Sequence, residues 1–381
     1  MSKLFLALVP VVLLLPHGNA SAAEPRARDL GIPFDGAPGP HNAVTDVAGV
    51  AVGYSTLNEG SGEHAIRTGV TAILPRGAAS IDKPVFAGVF SLNGNGEMTG
   101  THWIEESGFL EGPVLITNTH SVGIVRDAAI QWRVRRGKPD ASGYWWSLPV
   151  VAETWDGDLN DINGFHIKPE HVFAALDGAR SGAIAEGNVG GGTGMICHEY
   201  KCGTGTSSRV VHIGDTPYVV GALVQANYGV RDELRVAGVP VGQLMRNPGK
   251  SSKRDQGSII IVIATDAPLL PHQLKRIARR AAMGLARNGS YAGNGSGDIF
   301  LAFSTANEGA SQVATTTVKA LGNEQMDALF LATVQAVEES IINAMIAART
   351  MTGVNGTTVP AIDHDELLRV LRQQRRLLQQ P

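Results

Sequence analysis

Two cysteines in 381 residues, Cys197 and Cys202, are too few for a disulfide framework or a four-cysteine zinc site. Their spacing suits neither a zinc knuckle nor a redox Cys-x-x-Cys. A local disulfide across a hairpin is open to them, a pairing that sequence alone does not decide. Charge is also sparse, at 18% of residues with a net of -3. The basic residues are scattered without an aromatic–basic stripe, so nothing points to nucleic acid. Long apolar runs are scarce too. The clearest, Leu4–Pro16, holds thirteen residues, two of them prolines, short of the ~20 needed to span a bilayer. With Lys3 before it and Ala20-Ser21-Ala22 after it, residues 1–22 read as a secretory signal and the chain as periplasmic or secreted. No other segment reads as long and apolar enough to span.

The common hydrolase signatures are missing as well. Around Ser296 the pattern Asn294-Gly-Ser-Gly-Asp298 lacks the first glycine of a Gly-x-Ser-x-Gly elbow. There is no His-Glu-x-x-His, and His166 and His171 are five apart, off one helical face. No metal and no cofactor is indicated. Gly187-Asn-Val-Gly-Gly-Gly-Thr-Gly194 lacks both the Gly-Lys-[Ser/Thr] ending of a P-loop and dinucleotide spacing, and reads as backbone crowding at a buried turn.

Glycine, in contrast, is abundant: 46 residues, against a usual share of roughly 7%. It shows no repeat period, so it implies many tight turns. Between such turns, 43–54, 69–74, 85–91, 114–117, 210–211 and 218–224 read as strands. Pro169–Ala179 reads as a helix opened by proline. Pro271–Arg287 reads as an amphipathic helix with Leu274, Ile277, Ala278, Ala281 and Leu285 on its apolar stripe, ended by Asn288-Gly289. A strand at 298–304 follows. Asn323 is placed to cap a long helix through Arg349 that is apolar around most of its circumference, hence buried on both sides. Asp363 caps a closing helix. Mixed strands and helices imply sheets sandwiched between helical layers.

One junction stands out. Residues 246–257 carry Pro248, two glycines and four basic residues, which is loop chemistry, and run directly into Ser258-Ile-Ile-Ile-Val-Ile-Ala-Thr265, a buried-strand run. If the Gly257–Ser258 bond were cut, one residue would hold both a hydroxyl and a new α-amine, a nucleophile and base without a histidine. The plainer reading of Ser258 is a strand-boundary residue. Ser296-Gly-Asp298 is ordinarily a turn, yet could relay a proton. Asn227 ends an apolar strand, where an amide either ties a turn or donates to an oxyanion. Glu153 beside Trp155 could hold an ammonium, the alternative being a surface ion pair.

The segments Gly187–Met195, Gly205-Thr-Ser-Ser-Arg-Val-Val211, Val224-Gln-Ala-Asn-Tyr-Gly229, Ser258–Leu274 and Gly293-Asn-Gly-Ser-Gly-Asp298 resemble the DmpA/BapA family. Its members are self-cleaving L-aminopeptidase/D-esterases and β-peptidyl aminopeptidases, and the similarity runs from Arg26 almost to the C-terminus. The resemblance implies an α+β, four-layer αββα sandwich, similar to N-terminal-nucleophile hydrolases but connected differently. It implies one catalytic domain, 23–381, self-cleaved into 23–257 and 258–381. Ser258 matches the nucleophile released at Gly257–Ser258, Ser296 the second serine, and Asp298 an acidic position that is glutamate in some members. Asn227 matches the oxyanion-hole asparagine and Glu153 the carboxylate that receives the substrate amine. At Trp155 members carry tyrosine or leucine, so the preference between L-α- and β-aminoacyl substrates stays open. Small peptides, amides or esters are the implied partners, in a tetramer of cleaved units. An acyltransferase on a related scaffold is the alternative, against which stand the serine at 258, the signal segment and the absence of that family's motifs.

Overall fold

The computed structural model describes residues 24–136, 146–246, 255, 257–311 and 314–378. The expected signal segment and most of the 246–257 loop lie outside the described residues. In chain order come β1 (Ala51–Glu59), β2 (Ile66–Ala78), β3 (Val85–Ser91), α1 (Thr101–Ser107), β4 (Phe109–Leu110), β5 (Val114–Asn118) and α2 (Val122–Arg136). Next are β6 (Val150–Thr154), α3 (Pro169–Asp177), β7 (Ile196–Cys197), β8 (Tyr200–Lys201), β9 (Thr204–Ile213), β10 (Thr216–Asn227) and α4 (Val241–Leu244). The last group is β11 (Ser258–Thr265), α5 (Pro271–Arg287), β12 (Gly297–Ser304), α6 (Met326–Ile346), β13 (Met351–Thr352), β14 (Thr358–Val359) and α7 (His364–Gln373).

Two sheets stack face to face, one ordered β1-β2-β5-β6 and the other β4-β3-β12-β11-β10-β9. β11 shows why its sequence is an unbroken apolar run. Ile260, Val262 and Ala264 fill the space between the sheets, where they meet Ile73, Val114 and Ile116. Ile259, Ile261 and Ile263 point the other way into a second core with α5, α6 and α7. A third core joins the outer face of the smaller sheet to α2 and α3. The layers are therefore α, β, β, α, with β11 buried on both faces. β11 and β12 run parallel, joined through α5, and lie between β3 and β10.

Three local expectations are corrected. Val44–Asp46 is a 3-10 turn, and the strand begins at Ala51. The Asp46 carboxylate accepts from the backbone N–H of His41 and Ala43 and from Ser208 Oγ, which folds the segment back on itself. Asn323 does not cap the long helix. Its Oδ1 accepts from Gln273 and Arg276 of α5, while α6 starts at Met326 and stops at Ile346. Residues 323–346 are also long and apolar enough to cross a membrane, contrary to the sequence reading. Here 78% of an 18-residue apolar stretch within it is buried, against the larger sheet and α5.

The glycine run at 187–194 is crowded as expected. A Cβ on Gly191 would come within 2.2 Å of Gln225 Oε1 and 2.7 Å of the Ile116 carbonyl. Only glycine lets this turn pass between the sheets.

Candidate active site

Three strands of the larger sheet end at one edge. β10 is antiparallel to β11 and β12 parallel to it, so Asn227, Ser258 and Gly297 stand side by side. Ser258 heads the series Ile260, Val262, Ala264 that faces between the sheets, and both it and Asn227 are buried. Ser258 Oγ accepts from the Gly297 N–H at 3.1 Å. Asn227 Oδ1 accepts from the Ile196 N–H at 2.8 Å, which turns the amide N–H groups away from the β7–β8 hairpin. Gly257 is pressed so closely on this edge that a Cβ would lie 1.9 Å from the Asn227 carbonyl oxygen. No other residue fits before Ser258 without moving β10.

Ser296 Oγ donates to Asp298 Oδ1 at 2.7 Å. The pair meets Ser258 through the backbone: Gly297, between its members, donates to Ser258 Oγ, and the Ile259 N–H holds the Asp298 carboxylate. Asn93 clamps the same aspartate twice, donating from Nδ2 to Oδ2 at 3.1 Å and accepting the Asp298 N–H at Oδ1, 2.6 Å. Burial pushes the Asp298 carboxyl up to about 6; the Ser296 and Asn93 bonds hold the rise back, and the charge of Asp255 adds to it. A carboxyl raised this way favours the fold most below its unfolded value near ~3.9, and that advantage is lost as pH climbs through about 6. Asn93→Ala removes a donor to the ionised form. It is expected to move the Asp298 titration upward, read by carboxyl NMR of labelled aspartate; an unmoved or lowered value would contradict the clamp.

Glu153 ends β6 in a buried position, not in a surface ion pair. Its Oε1 accepts from the Glu97 N–H at 3.0 Å, and its Oε2 from the Thr119 hydroxyl. Burial pushes its pKa up, those two bonds and the nearby His120 pull it down, and no lysine or arginine pairs with it among the described residues. Gly96 links this carboxylate to the serine edge: a Cβ there would lie 3.0 Å from Gly297 Cα and 3.4 Å from Glu153 Oε1. Trp155, 40% exposed, meets His120 edge-on at 5.8 Å, and Phe165 stacks on the same imidazole at 6.2 Å. The result is a buried carboxylate beside a serine edge, with no Lys or Arg partner among the described residues and with His120, packed by Trp155 and Phe165, close by.

Sequence reasoning missed Asn93, Gly96, Thr119 and Ile196. Asn93-Gly-Asn-Gly96 directly follows β3 and carries a turn signal that marks a loop there. Nothing local ties that loop to Asp298, 205 positions away.

Residues 42–359 match peptidase family S58. The chain belongs to peptidase family S58. It is 52% identical over 385 residues to the β-peptidyl aminopeptidase BapA of Sphingosinicella microcystinivorans, spanning 96% of each chain. Identity to the BapA of Sphingosinicella xenopeptidilytica is 48% over 388 residues, with the same coverage. The structure superposes on the L-aminopeptidase D-Ala-esterase/amidase of Ochrobactrum anthropi with a TM-score of 0.87 at 52% identity, covering 93% of this chain and 100% of that one. That protein is described as a prototype of the serine aminopeptidases and a variant of the Ntn hydrolase fold. A β-aminopeptidase from Burkholderia sp. follows with a TM-score of 0.86 at 50% identity. This S58 chain is thus an aminopeptidase of the DmpA/BapA family, and its αββα sandwich is the fold of that family.

Proposed function

We propose that this S58 aminopeptidase is exported, cuts itself at Gly257–Ser258, and then uses the freed Ser258 as nucleophile. The observation that carries the reading is the shared edge: Ser258 lies between Asn227, whose amide N–H groups are unclaimed by the hairpin, and the Gly297 N–H. In the precursor, Ser258 Oγ attacks the Gly257 carbonyl carbon, and the C–N bond breaks to leave an ester and a free α-amine. Water then opens the ester, releasing the Gly257 carboxylate. An α-amine with a pKa near ~8 is partly neutral at working pH and can take the Oγ proton.

During turnover Ser258 attacks the first carbonyl of the substrate while Asn227 donates to the oxyanion. The departing amine receives the proton, and water resolves the acyl-enzyme. Ser296 and Asp298 hold the new α-amine and share its proton. Glu153, buried with no Lys or Arg partner among the described residues, takes the substrate ammonium, which limits attack to the chain end. Trp155, packed on the His120 that neighbours Glu153, bears on the choice between L-α- and β-aminoacyl groups. The β-peptidyl aminopeptidases at about half identity favour short β-aminoacyl substrates among these.

The sheet order suits a cut chain: β11 and β12, after the junction, lie between β3 and β10, before it. Glu339 of α6 likewise binds Arg28 and Arg209 from the earlier part. The two pieces would stay together after cleavage. Export is supported by the Ala-x-Ala site and by the Cys197–Cys202 disulfide, a bond that persists in oxidising compartments.

Intact mass and denaturing electrophoresis of the purified protein test the proposal. Two chains are expected, the smaller beginning at Ser258; one uncut chain would overturn self-processing. A p-nitroanilide panel of L-Ala, D-Ala and β-Ala then decides the substrate class.

A further inference from the structure

Among the described residues, one bond sets the direction of the Asn227 carboxamide, from the Ile196 N–H to Oδ1. That N–H belongs to the Met195–Ile196 peptide, a rigid plane whose carbonyl points opposite to it. The carbonyl is gripped twice, by Lys201 Nζ at 2.9 Å and by the Cys202 N–H at 3.0 Å. Lys201 is fully buried and meets no carboxylate among the described residues; its second acceptor is the Cys202 carbonyl at 2.6 Å. A buried ammonium without a counter-ion is expensive, and the reaction as proposed does not use it chemically.

The surrounding hairpin is strained and fastened. His198 and Glu199, its two turn residues, have φ of +49° and +65°, a region normally left to glycine or asparagine. Cys197 and Cys202 close the hairpin with a disulfide. The His198 N–H donates to the Tyr228 carbonyl at 2.7 Å, and the His198 ring bonds the Val230 carbonyl, both just beyond Asn227. The hairpin is thus docked on the end of β10 at several points.

We propose that Lys201, backed by the Cys197–Cys202 disulfide, is a positioning residue that aims the Asn227 carboxamide by fixing the Met195–Ile196 peptide plane. This rests on the reading of Asn227 as the oxyanion donor. The clamp does not depend on the lysine's charge: burial lowers its pKa to about 7, and a neutral amine still has two N–H groups for two carbonyls.

The test is a double-mutant cycle on the purified enzyme, with rates normalised to the matured small chain by intact mass. Lys201→Met is expected to lower kcat about tenfold with KM within about twofold, since a full displacement of about 1 Å at a catalytic group costs up to about 10²-fold and the Cys202 N–H still holds the carbonyl in part. Added to Asn227→Ala, the same substitution should cost nothing further. A merely structural lysine would multiply its loss onto that of Asn227→Ala, and this result, or an unchanged kcat in Lys201→Met, overturns the proposal. Cys197→Ala/Cys202→Ala, expected to lose kcat in the same direction by a smaller factor, carries the cycle if Lys201→Met does not fold. A crystal structure of either variant should show the Ile196–Asn227 bond lost; an intact bond also overturns the proposal, whether or not the Asn227 variant matures. If Asn227→Ala alone keeps full kcat, the oxyanion reading fails instead.

Discussion

Ser258→Ala is expected to remain a single uncut chain with no measurable turnover. The substitution removes both attacks assigned to one oxygen, on the Gly257 carbonyl and on the substrate. Because the bond then stays closed, the α-amine proposed as the base never appears. Loss of a nucleophile on which the whole mechanism depends costs about 10⁴–10⁶ in kcat, so residual activity should vanish into the background. No neighbour can replace it: Ser296 Oγ is committed to Asp298 at 2.7 Å and reaches the edge only through the Gly297 backbone. Alanine fits where serine stood, since Ser258 is buried at a strand end and a methyl makes no new contact. The protein should therefore fold as a precursor, with a lowered melting temperature because the Gly297 N–H loses its acceptor. Intact mass and p-nitroanilide release check both halves. Cleavage at Gly257 in this variant would mean that Ser258 does not cut the chain.

The second large effect is expected at Asn227, and two substitutions separate its possible roles. Asn227→Ala removes the amide donor and also leaves the Ile196 N–H without its acceptor. Asn227→Asp keeps an acceptor for Ile196 but replaces the donor with a negative oxygen facing the developing oxyanion. Loss of one oxyanion donor costs about 3 kcal/mol, or about 10²-fold in kcat. Asn227→Ala should show that loss with KM nearly unchanged, while Asn227→Asp should lose more turnover yet keep more of the hairpin's stability. If Asn227 only tied down the hairpin, the order would reverse and Asn227→Asp would work almost normally. Steady-state kinetics of the matured fraction, with melting temperatures, distinguish the two.

The Asn227 comparison also shows where sequence reasoning stopped. An asparagine at the end of an apolar strand could be marked as a candidate because strand ends are visible from composition. The partner that decides its orientation, Ile196, belongs to a two-residue strand with no periodicity to detect. Asn93 was invisible as a partner of Asp298 for the same reason: its loop was legible as a turn, but its destination was not. The long helix was legible as buried, though its cap was misplaced, because Asn323 serves α5 across a loop and not its own helix.

By itself, the sequence determined the junction at Gly257–Ser258, the buried character of the strand after it, the apolar stripe of α5, and family membership through several long motifs. These depend on local patterning, in which each residue's neighbours along the chain carry the information. Tertiary structure alone decided that Asn227, Ser258 and Gly297 share one edge, that Glu153 is buried with no Lys or Arg partner among the described residues, and that Lys201 grips the peptide whose N–H bonds Asn227. Those facts depend on the register between strands and on contacts across hundreds of residues. A one-residue slip in register would turn Ser258 to the opposite face of its sheet while leaving every local pattern as it is.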